Sequence, residues 1–244
     1  MSGQVIVERT AQVWTLSLGR PEKRNALSAE LVEQLLEIVQ RAPAEGAKVL
    51  VFRGDGRNFC AGFDMSNALE QSEGDLVLRF IRVEMLLQAV ASSPCLTVAL
   101  AHGRTMGAGV DLLAACRERY ASADATFRMP GLKFGLVLGT RRFGEIVGRG
   151  QAARVQEEAA SFDAASAKAM GFVHDIVEAD GWGGVVERAR AKAAVLPDWS
   201  RGALYAVLDG EQFDTDLAWL VRSAARPGLK LRIAEYLRAA QEKT

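Results

Sequence analysis

Lys48-Val-Leu-Val-Phe-Arg53 contains four consecutive apolar residues, and Gly54-Asp55-Gly56 follows it directly. A short apolar run that ends in glycines is typical of a strand buried on both faces of a parallel sheet. Cys95–Ala101, which reads CLTVALA, has the same character. The two runs predict buried strands, and the helical patterns around them predict α/β layering.

Those helical patterns begin after a strand-like hairpin at residues 5–18. Ser28 is a suitable N-cap, and Leu31, Leu35 and Ile38 then recur on one helical face. Helical spacing returns between Phe80 and Val90, and a helix is expected to follow the second strand.

The remaining segments are less regular. Ser66–Asp75 is polar and acidic and predicts a loop. From Asp163, which can cap a helix, the chain is expected to be mostly helical. Phe172–Val177 is a candidate short strand within that part.

Composition excludes several classes of function. The 244 residues include 30 Lys+Arg and 30 Asp+Glu, so the formal charge is zero, and 49% are apolar. Nucleic-acid and membrane-surface binders need a basic excess, so neither partner is expected. No apolar run approaches the roughly 18 residues of a membrane span, and no secretory signal is visible at the first residues, so a cytoplasmic protein is expected.

Cysteine and histidine further limit the chemistry. The three cysteines, Cys60, Cys95 and Cys116, form no CxxC motif, which argues against a disulfide framework or a thiolate metal site. The two histidines, His102 and His174, are far apart. No metal is expected. We interpret His102 as a turn residue and Cys60 as a small buried residue rather than as a base and a nucleophile.

Two glycine-bearing segments follow the two predicted strands. They are Asn58-Phe-Cys-Ala-Gly-Phe-Asp64 and Met106-Gly-Ala-Gly-Val-Asp111. Small residues let a ligand approach backbone N–H groups, and a helix N-terminus supplies N–H groups without helical partners. Two such turns facing each other could hold one oxyanion between them. The simpler alternative is that the glycines only permit tight turns.

These segments, with others in the same order, resemble the motifs of the crotonase family, which includes enoyl-CoA hydratases and isomerases. The further matches are RPEKRNALS at residues 20–28, ATFRMP at 125–130 and AKAMGFV at 167–173. Each motif is loose, but the ordered set is specific, and it covers residues 5 to about 177.

The resemblance implies a crotonase-like α/β fold of repeated ββα units with a helical C-terminal region. It implies a core over residues 1–190 and a trimerisation region over residues 191–244, in a homotrimer or homohexamer. It also implies an acyl-CoA thioester as substrate, no cofactor, a hydratase (lyase) or isomerase activity, and a role in fatty acid metabolism.

The family's oxyanion donors map onto the backbone N–H groups of Phe63 and Ala108. One of the two glutamates that its hydratases commonly use falls on Asp111, one methylene shorter, while the other falls on Gly131, which has no titratable group. The CoA-binding positions correspond to Arg24, Ala61, Asp64 and Met65.

Gly131 and a shortened segment before Gly139-Thr-Arg-Arg142 predict a remodelled pocket floor. Three hypotheses stay open. The chain is a hydratase or isomerase with Asp111 as the remaining acid/base; it catalyses another thioester reaction such as hydrolysis, decarboxylation or C–C cleavage; or it is a degenerate acyl-CoA binder. No spacing singles out a replacement acid among the nearby charged residues, which are Asp64, Asp124, Arg128, Lys133 and Glu145.

Overall fold

A computed structural model describes residues 4–10, 12–209 and 212–242 of the chain. The strands are β1 (Gln4–Thr10), β2 (Val13–Gly19), β3 (Val49–Gly54), β4 (Leu96–Ala101), β5 (Arg104–Met106), β6 (Glu118–Ala121), β7 (Thr126–Arg128), β8 (Phe162–Asp163) and β9 (Asp175–Ile176). The helices are α1 (Ala29–Arg41), α2 (Glu73–Ala91), α3 (Ala108–Ala115), α4 (Thr140–Val147), α5 (Arg149–Glu158), α6 (Ala164–Ala169), α7 (Trp182–Ala193), α8 (Asp198–Asp209), α9 (Phe213–Ala224) and α10 (Leu229–Gln241).

The strands form two sheets. The larger has the order β1-β2-β3-β4-β6-β9, antiparallel between β1 and β2 and parallel elsewhere. The smaller has the order β5-β7-β8. The predicted hairpin, the two buried strands and the α/β layering with a helical C-terminal region are therefore confirmed.

Burial of both faces of β3 explains its unbroken apolar sequence. Leu50 and Phe52 lie in the core cluster that includes residues of α1, α2 and α3. Val49 and Val51 point to the other face, where they pack with residues of α7 such as Val185. Alternate side chains of a strand face opposite sides, so a sheet covered on both sides selects apolar residues at every position.

The predicted caps are confirmed. The Ser28 hydroxyl accepts a hydrogen bond from the Leu31 N–H at 3.2 Å, and the Asp163 carboxylate accepts one from the Ser166 N–H at 2.8 Å.

The prediction of a loop over Ser66–Asp75 is wrong for the last residues of that segment. Ser72 and Asp75 form a capping box, so the last three residues of that segment begin α2. The predicted strand at 172–177 is shorter, spanning only β9.

The helices that follow residue 190 are α8, α9 and α10, together with the end of α7. The division into residues 1–190 and 191–244 stays a prediction, and residues 1–3, 210–211 and 243–244 lie outside the described ranges. None of the helices within those ranges combines the length and apolar character that crossing a bilayer requires.

Asn25 connects the segment before α1 to the turn after β3. Its backbone is left-handed, with φ +56°, and its side chain is fully buried. The Asn25 amide donates to the carbonyl oxygens of Asp55 and Asn58 at 2.8 and 2.7 Å, and its Oδ1 accepts from the Arg20 N–H at 2.9 Å. Asparagine tolerates this backbone conformation better than most residues do.

Asn25→Ala is expected to lower the free energy of unfolding by about 3 kcal/mol, because it removes three hydrogen bonds of a fully buried side chain. Urea unfolding monitored by circular dichroism measures the change. The control is Asn67→Ala, since Asn67 is exposed. Asn25→Gly should be about 1 kcal/mol more stable than Asn25→Ala, because glycine adopts the left-handed backbone conformation without strain. A loss below 1 kcal/mol for Asn25→Ala contradicts this structural role.

Candidate active site

The two glycine-bearing turns meet, as the sequence predicted. Cys60 pairs with Thr105 in a parallel bridge, and the Met106 N–H donates to the Cys60 carbonyl at 2.9 Å. Gly62 has φ +84°, and a Cβ atom there would overlap the Met106 carbonyl oxygen and lie 3.2 Å from the Ala108 nitrogen. Glycine is therefore required at position 62 for both its conformation and this close approach.

The contact brings two backbone N–H groups to one place. Leu27 pairs with Phe63 by donating to the Gly62 carbonyl and accepting from the Asp64 N–H, so the Phe63 N–H points away from Leu27. Ala108 is the first residue of α3, where an N–H has no helical partner. Within the described part of the chain, neither N–H donates a hydrogen bond to a protein atom. This arrangement can bind a carbonyl oxygen or an oxyanion.

A cavity of about 760 Å³ opens in front of these N–H groups. Its volume is that of a pocket for a small organic ligand. Its wall includes all the positions that the family resemblance assigned to the oxyanion donors, the two carboxylates and CoA binding: Arg24, Ala61, Phe63, Asp64, Met65, Ala108, Asp111 and Gly131.

Asp111 lies in the first turn of α3 with only 3% of its surface exposed. Its Oδ1 has no hydrogen-bond partner among the described residues. A Cβ atom on Gly139 would overlap this carboxylate, so only glycine lets the segment before α4 pass so close. The carboxyl group is thus enclosed by protein yet unpaired, and one side of it faces the cavity.

Burial raises the pKa of Asp111 well above its usual range. The nearby Arg142 guanidinium opposes this shift, whereas the charge of Glu84 adds to it. A carboxyl group whose protonated form is stabilised in this way can hold and return a proton at moderate pH, as a general acid or base must.

Buried ion pairs hold α4 beside Asp111. Arg142 contacts Glu84 on α2 at 3.2 Å and Asp216 on α9 at 3.8 Å, and it is largely buried. Arg141 makes a bidentate pair with the same Asp216, with distances from 2.7 to 3.1 Å. Ion pairs of two neighbouring arginines thus connect the start of α4 to carboxylates of α2 and α9.

Gly131 and residues of the short segment after it form part of the cavity wall. Gly131 begins a 3₁₀ turn, Gly131–Phe134, and its carbonyl accepts from the Leu136 N–H at 3.0 Å. A Cβ atom at Gly131 would lie 3.2 Å from the Leu136 carbonyl oxygen. A side chain at position 131 would press against the Leu136 carbonyl. The path of the short segment after Gly131 therefore favours glycine at this position.

The other charged residues considered as replacements for the missing carboxylate make different contacts. Asp64 lines the cavity but pairs with Arg20 at 2.8 Å and accepts from the Ser66 N–H, and these contacts lower its pKa. Glu145 pairs with Arg141 at 2.5 Å. Asp124 and Lys133 do not line the cavity, and Arg128, which does, donates to the Ala159 carbonyl.

The simpler interpretations of His102 and Cys60 are supported. A ring nitrogen of His102 lies 2.9 Å from the Gly56 carbonyl oxygen, as expected of a turn residue. Cys60 is fully buried, and burial raises the pKa of its thiol to about 12, which suppresses the thiolate.

Several cavity residues were not identified as functional from the sequence. Helix α10 contributes Tyr236 and Leu237, and the Tyr236 ring packs 5.1 Å from that of Phe134. Thr140 and Gln156, on α4 and α5, also line the wall. Only packing between distant segments brings these residues here, so no local pattern could identify them.

The chain is similar in sequence and in structure to known proteins. The family model described as "Enoyl-CoA hydratase/isomerase" matches residues 8–214. A protein of Mycobacterium tuberculosis described as a probable enoyl-CoA hydratase is 32% identical over 188 residues, which is 75% of each chain. The 2,3-dehydroadipyl-CoA hydratase of Escherichia coli is 31% identical over 183 residues, or 72% of this chain and 70% of that one.

A crystal structure from Bordetella parapertussis, described as an enoyl-CoA hydratase/isomerase, is similar over nearly the whole chain. The TM-score is 0.95 at 55% identity, and the match covers 97% of this chain and 99% of that one.

Asp111→Asn is expected to raise the free energy of unfolding, more at pH 8 than at pH 5. The unfolded chain ionises this carboxyl near its usual pKa, whereas the folded protein retains the proton to higher pH. Wild-type stability is therefore lost as the pH rises through the raised pKa, and asparagine removes that loss. The gain should increase by about 1 kcal/mol or more between the two pH values.

Urea unfolding at pH 5 and pH 8 measures this difference. The matched control is Asp214→Asn, since Asp214 also lies in the first turn of a helix but is exposed. Its effect should be small and the same at both pH values. An equal effect of Asp111→Asn at the two pH values contradicts the prediction.

Proposed function

The chain belongs to the enoyl-CoA hydratase/isomerase family, and from this we propose that it hydrates the double bond of a 2-enoyl-CoA thioester, with Asp111 as the acid/base. The observation that carries the proposal is the position of the Asp111 carboxyl group. It is buried and has no hydrogen-bond partner at Oδ1 in the part of the chain that the structure describes, and it lines the same cavity as two N–H groups that have no acceptor there either.

In the proposed reaction, the thioester carbonyl oxygen accepts hydrogen bonds from the N–H groups of Phe63 and Ala108. Water attacks C3, and the electrons of the double bond move toward the carbonyl oxygen to form an enolate. The N–H groups stabilise this negative charge, and one such donor typically contributes ~10²–10³ in rate. The first turn of α3 adds its dipole.

One carboxyl group can handle both proton transfers. The Asp111 carboxylate takes a proton from the attacking water, and the resulting acid gives that proton to C2. The product is the 3-hydroxyacyl thioester, and Asp111 returns to its starting state. The raised pKa suits this cycle, because it makes the carboxylate a better proton acceptor.

Incubation with crotonyl-CoA should reduce the absorbance of the conjugated thioester. Asp111→Asn is expected to lower kcat by about 100-fold or more, since it removes the proton acceptor. Asp214→Asn, the exposed first-turn aspartate, should retain wild-type activity. Unchanged turnover in Asp111→Asn contradicts the proposed role.

Gly131 favours a second candidate, in which the chain performs another thioester reaction or binds acyl-CoA without turning it over. The absence of a carboxylate at that position removes one of the two groups that hydratases of this family commonly use. Binding of crotonyl-CoA by calorimetry without loss of absorbance would favour this candidate, and product analysis with other thioesters would separate hydrolysis, decarboxylation and C–C cleavage from binding alone.

The proposed CoA site is the rim of the cavity near Arg24. Arg24 is exposed, and its side chain makes no ion pair within the described ranges, while its carbonyl accepts from the Ala61 N–H at 2.9 Å. Lys23 and Arg104, also exposed, line the same rim. A group of exposed cations suits the phosphates of CoA.

Arg24→Ala is expected to weaken CoA thioester binding by about fivefold, and the effect should shrink as salt screens the charge. Calorimetry at low and high ionic strength measures both. Arg149→Ala is the control, because Arg149 is exposed and does not line the cavity. If Arg24→Ala binds the CoA thioester as tightly as the wild type does, the phosphates of CoA do not bind at Arg24.

The proposal includes a homotrimer or homohexamer. Its support is apolar surface on the C-terminal helices, where Trp199 and Val207 are 83% and 80% exposed and Leu208 is 72% exposed. Apolar patches of this kind commonly mark protein–protein contacts. The cytoplasmic location and the role in fatty acid metabolism stay predictions.

A further inference from the structure

Gln156 on α5 is a buried polar side chain that faces the cavity. Only 4% of its surface is exposed, yet it lines the cavity wall. Its Oε1 accepts a hydrogen bond from the Thr140 hydroxyl at 2.9 Å. Its Nε2 has no partner among the described residues.

An unpaired buried amide nitrogen is unfavourable, and buried polar groups are almost always satisfied. The Thr140 hydroxyl donates to Oε1 in this structure, which leaves Nε2 as the group with free donors. The acceptor for these donors must come from the cavity, since the protein supplies none within the described ranges.

The position of Thr140 locates this donor. Thr140 directly follows Gly139, which touches the Asp111 carboxylate. Gln156 is therefore connected to the proposed acid/base through Thr140 and Gly139, and it is a buried part of the same cavity wall, whereas Arg24 and the other exposed cations mark the opening. A thioester carbonyl held by the Phe63 and Ala108 N–H groups would direct its C3 toward Asp111 and this amide.

We propose that Gln156, oriented by Thr140, binds a neutral oxygen on C3 of the acyl group. That oxygen is the attacking water or product hydroxyl in hydration, and the carbonyl of a 3-oxoacyl thioester. The inference rests on the proposed function, since it needs a CoA thioester in the cavity. It assigns Gln156 a positioning role in a cavity where Gly131 supplies no carboxylate.

The chemistry of the amide defines the class of acyl group. An amide N–H is a neutral donor, so it gains from a hydroxyl or carbonyl oxygen at that point. A carboxylate there would lie beside Asp111, and two like charges in a buried site repel strongly. A purely hydrocarbon acyl group offers the amide no acceptor of its own, so only a water molecule can pair with it. The site should therefore prefer acyl groups with a neutral oxygen at C3.

Calorimetry with acetoacetyl-CoA and butyryl-CoA tests this preference. The two thioesters have equal chain lengths, differ in the C3 oxygen, and cannot be hydrated. Wild-type protein should bind acetoacetyl-CoA about tenfold more tightly, which is the contribution of one well-placed hydrogen bond. In Gln156→Met the ratio of the two affinities should fall to about one or two, because the donor is lost.

Gln151→Met is the matched control, since Gln151 lies on the same helix but outside this cavity, and it should keep the wild-type ratio. Thr140→Val, which removes the hydroxyl that orients the amide, should also reduce the ratio and serves if Gln156→Met does not fold. Equal wild-type affinities, or an unchanged ratio in a folded Gln156→Met, would overturn the inference alone. Failure of both thioesters to bind would overturn the proposed function and this inference together.

Discussion

The close backbone contact between the turn at Cys60–Phe63 and the start of α3 is the constraint on which the cavity depends. The turn and the helix follow neighbouring parallel strands, β3 and β4, so the sheet already places them at one edge. The hydrogen bond from Met106 to Cys60 and the conformation of Gly62 then bring them together. Any side chain at position 62 would separate the two N–H groups, and the site would lose its anion-binding geometry.

The same contact places a carboxyl group where it is unfavourable, and ion pairs elsewhere in the fold hold the helix that encloses it. It directs Asp111 into the protein interior, where a charged carboxylate is unfavourable. Helix α4 encloses it, and α4 is held in turn by the pairs of Arg141 and Arg142 with carboxylates of α2 and α9. Breaking such a buried pair leaves an uncompensated charge and is strongly destabilising. The ion pairs therefore stabilise the position of a helix rather than a reacting group.

Gly131 and Gln156 show how one cavity can differ from the two-carboxylate arrangement that hydratases of this family commonly use. The short segment between Gly131 and Gly139 brings the Leu136 carbonyl close to where a side chain at 131 would begin. A neutral amide on α5 lies on the enclosed side of the same cavity. In the proposed site, the Asp111 carboxyl group alone transfers protons. The Gln156 amide, which does not ionise, orients the oxygen on C3. An amide can bind a neutral oxygen by donating a hydrogen bond, but it cannot act as a second acid or base.

Much of this could be predicted from the sequence because it depends on local patterns. The apolar run of β3, the cap at Ser28 and the ordered motifs around Gly62 and Gly107 are readable one segment at a time, and they led to the family, the fold and the main cavity residues. Tertiary structure alone decided which distant groups meet. The pairing of Arg142 with Glu84, the contact of Gly139 with Asp111, the bond from Thr140 to Gln156 and the contribution of α10 join segments that no periodicity relates. The burial that raises the pKa of Asp111 comes from these long-range contacts, so the sequence could identify the carboxylate but not the environment that sets its chemistry.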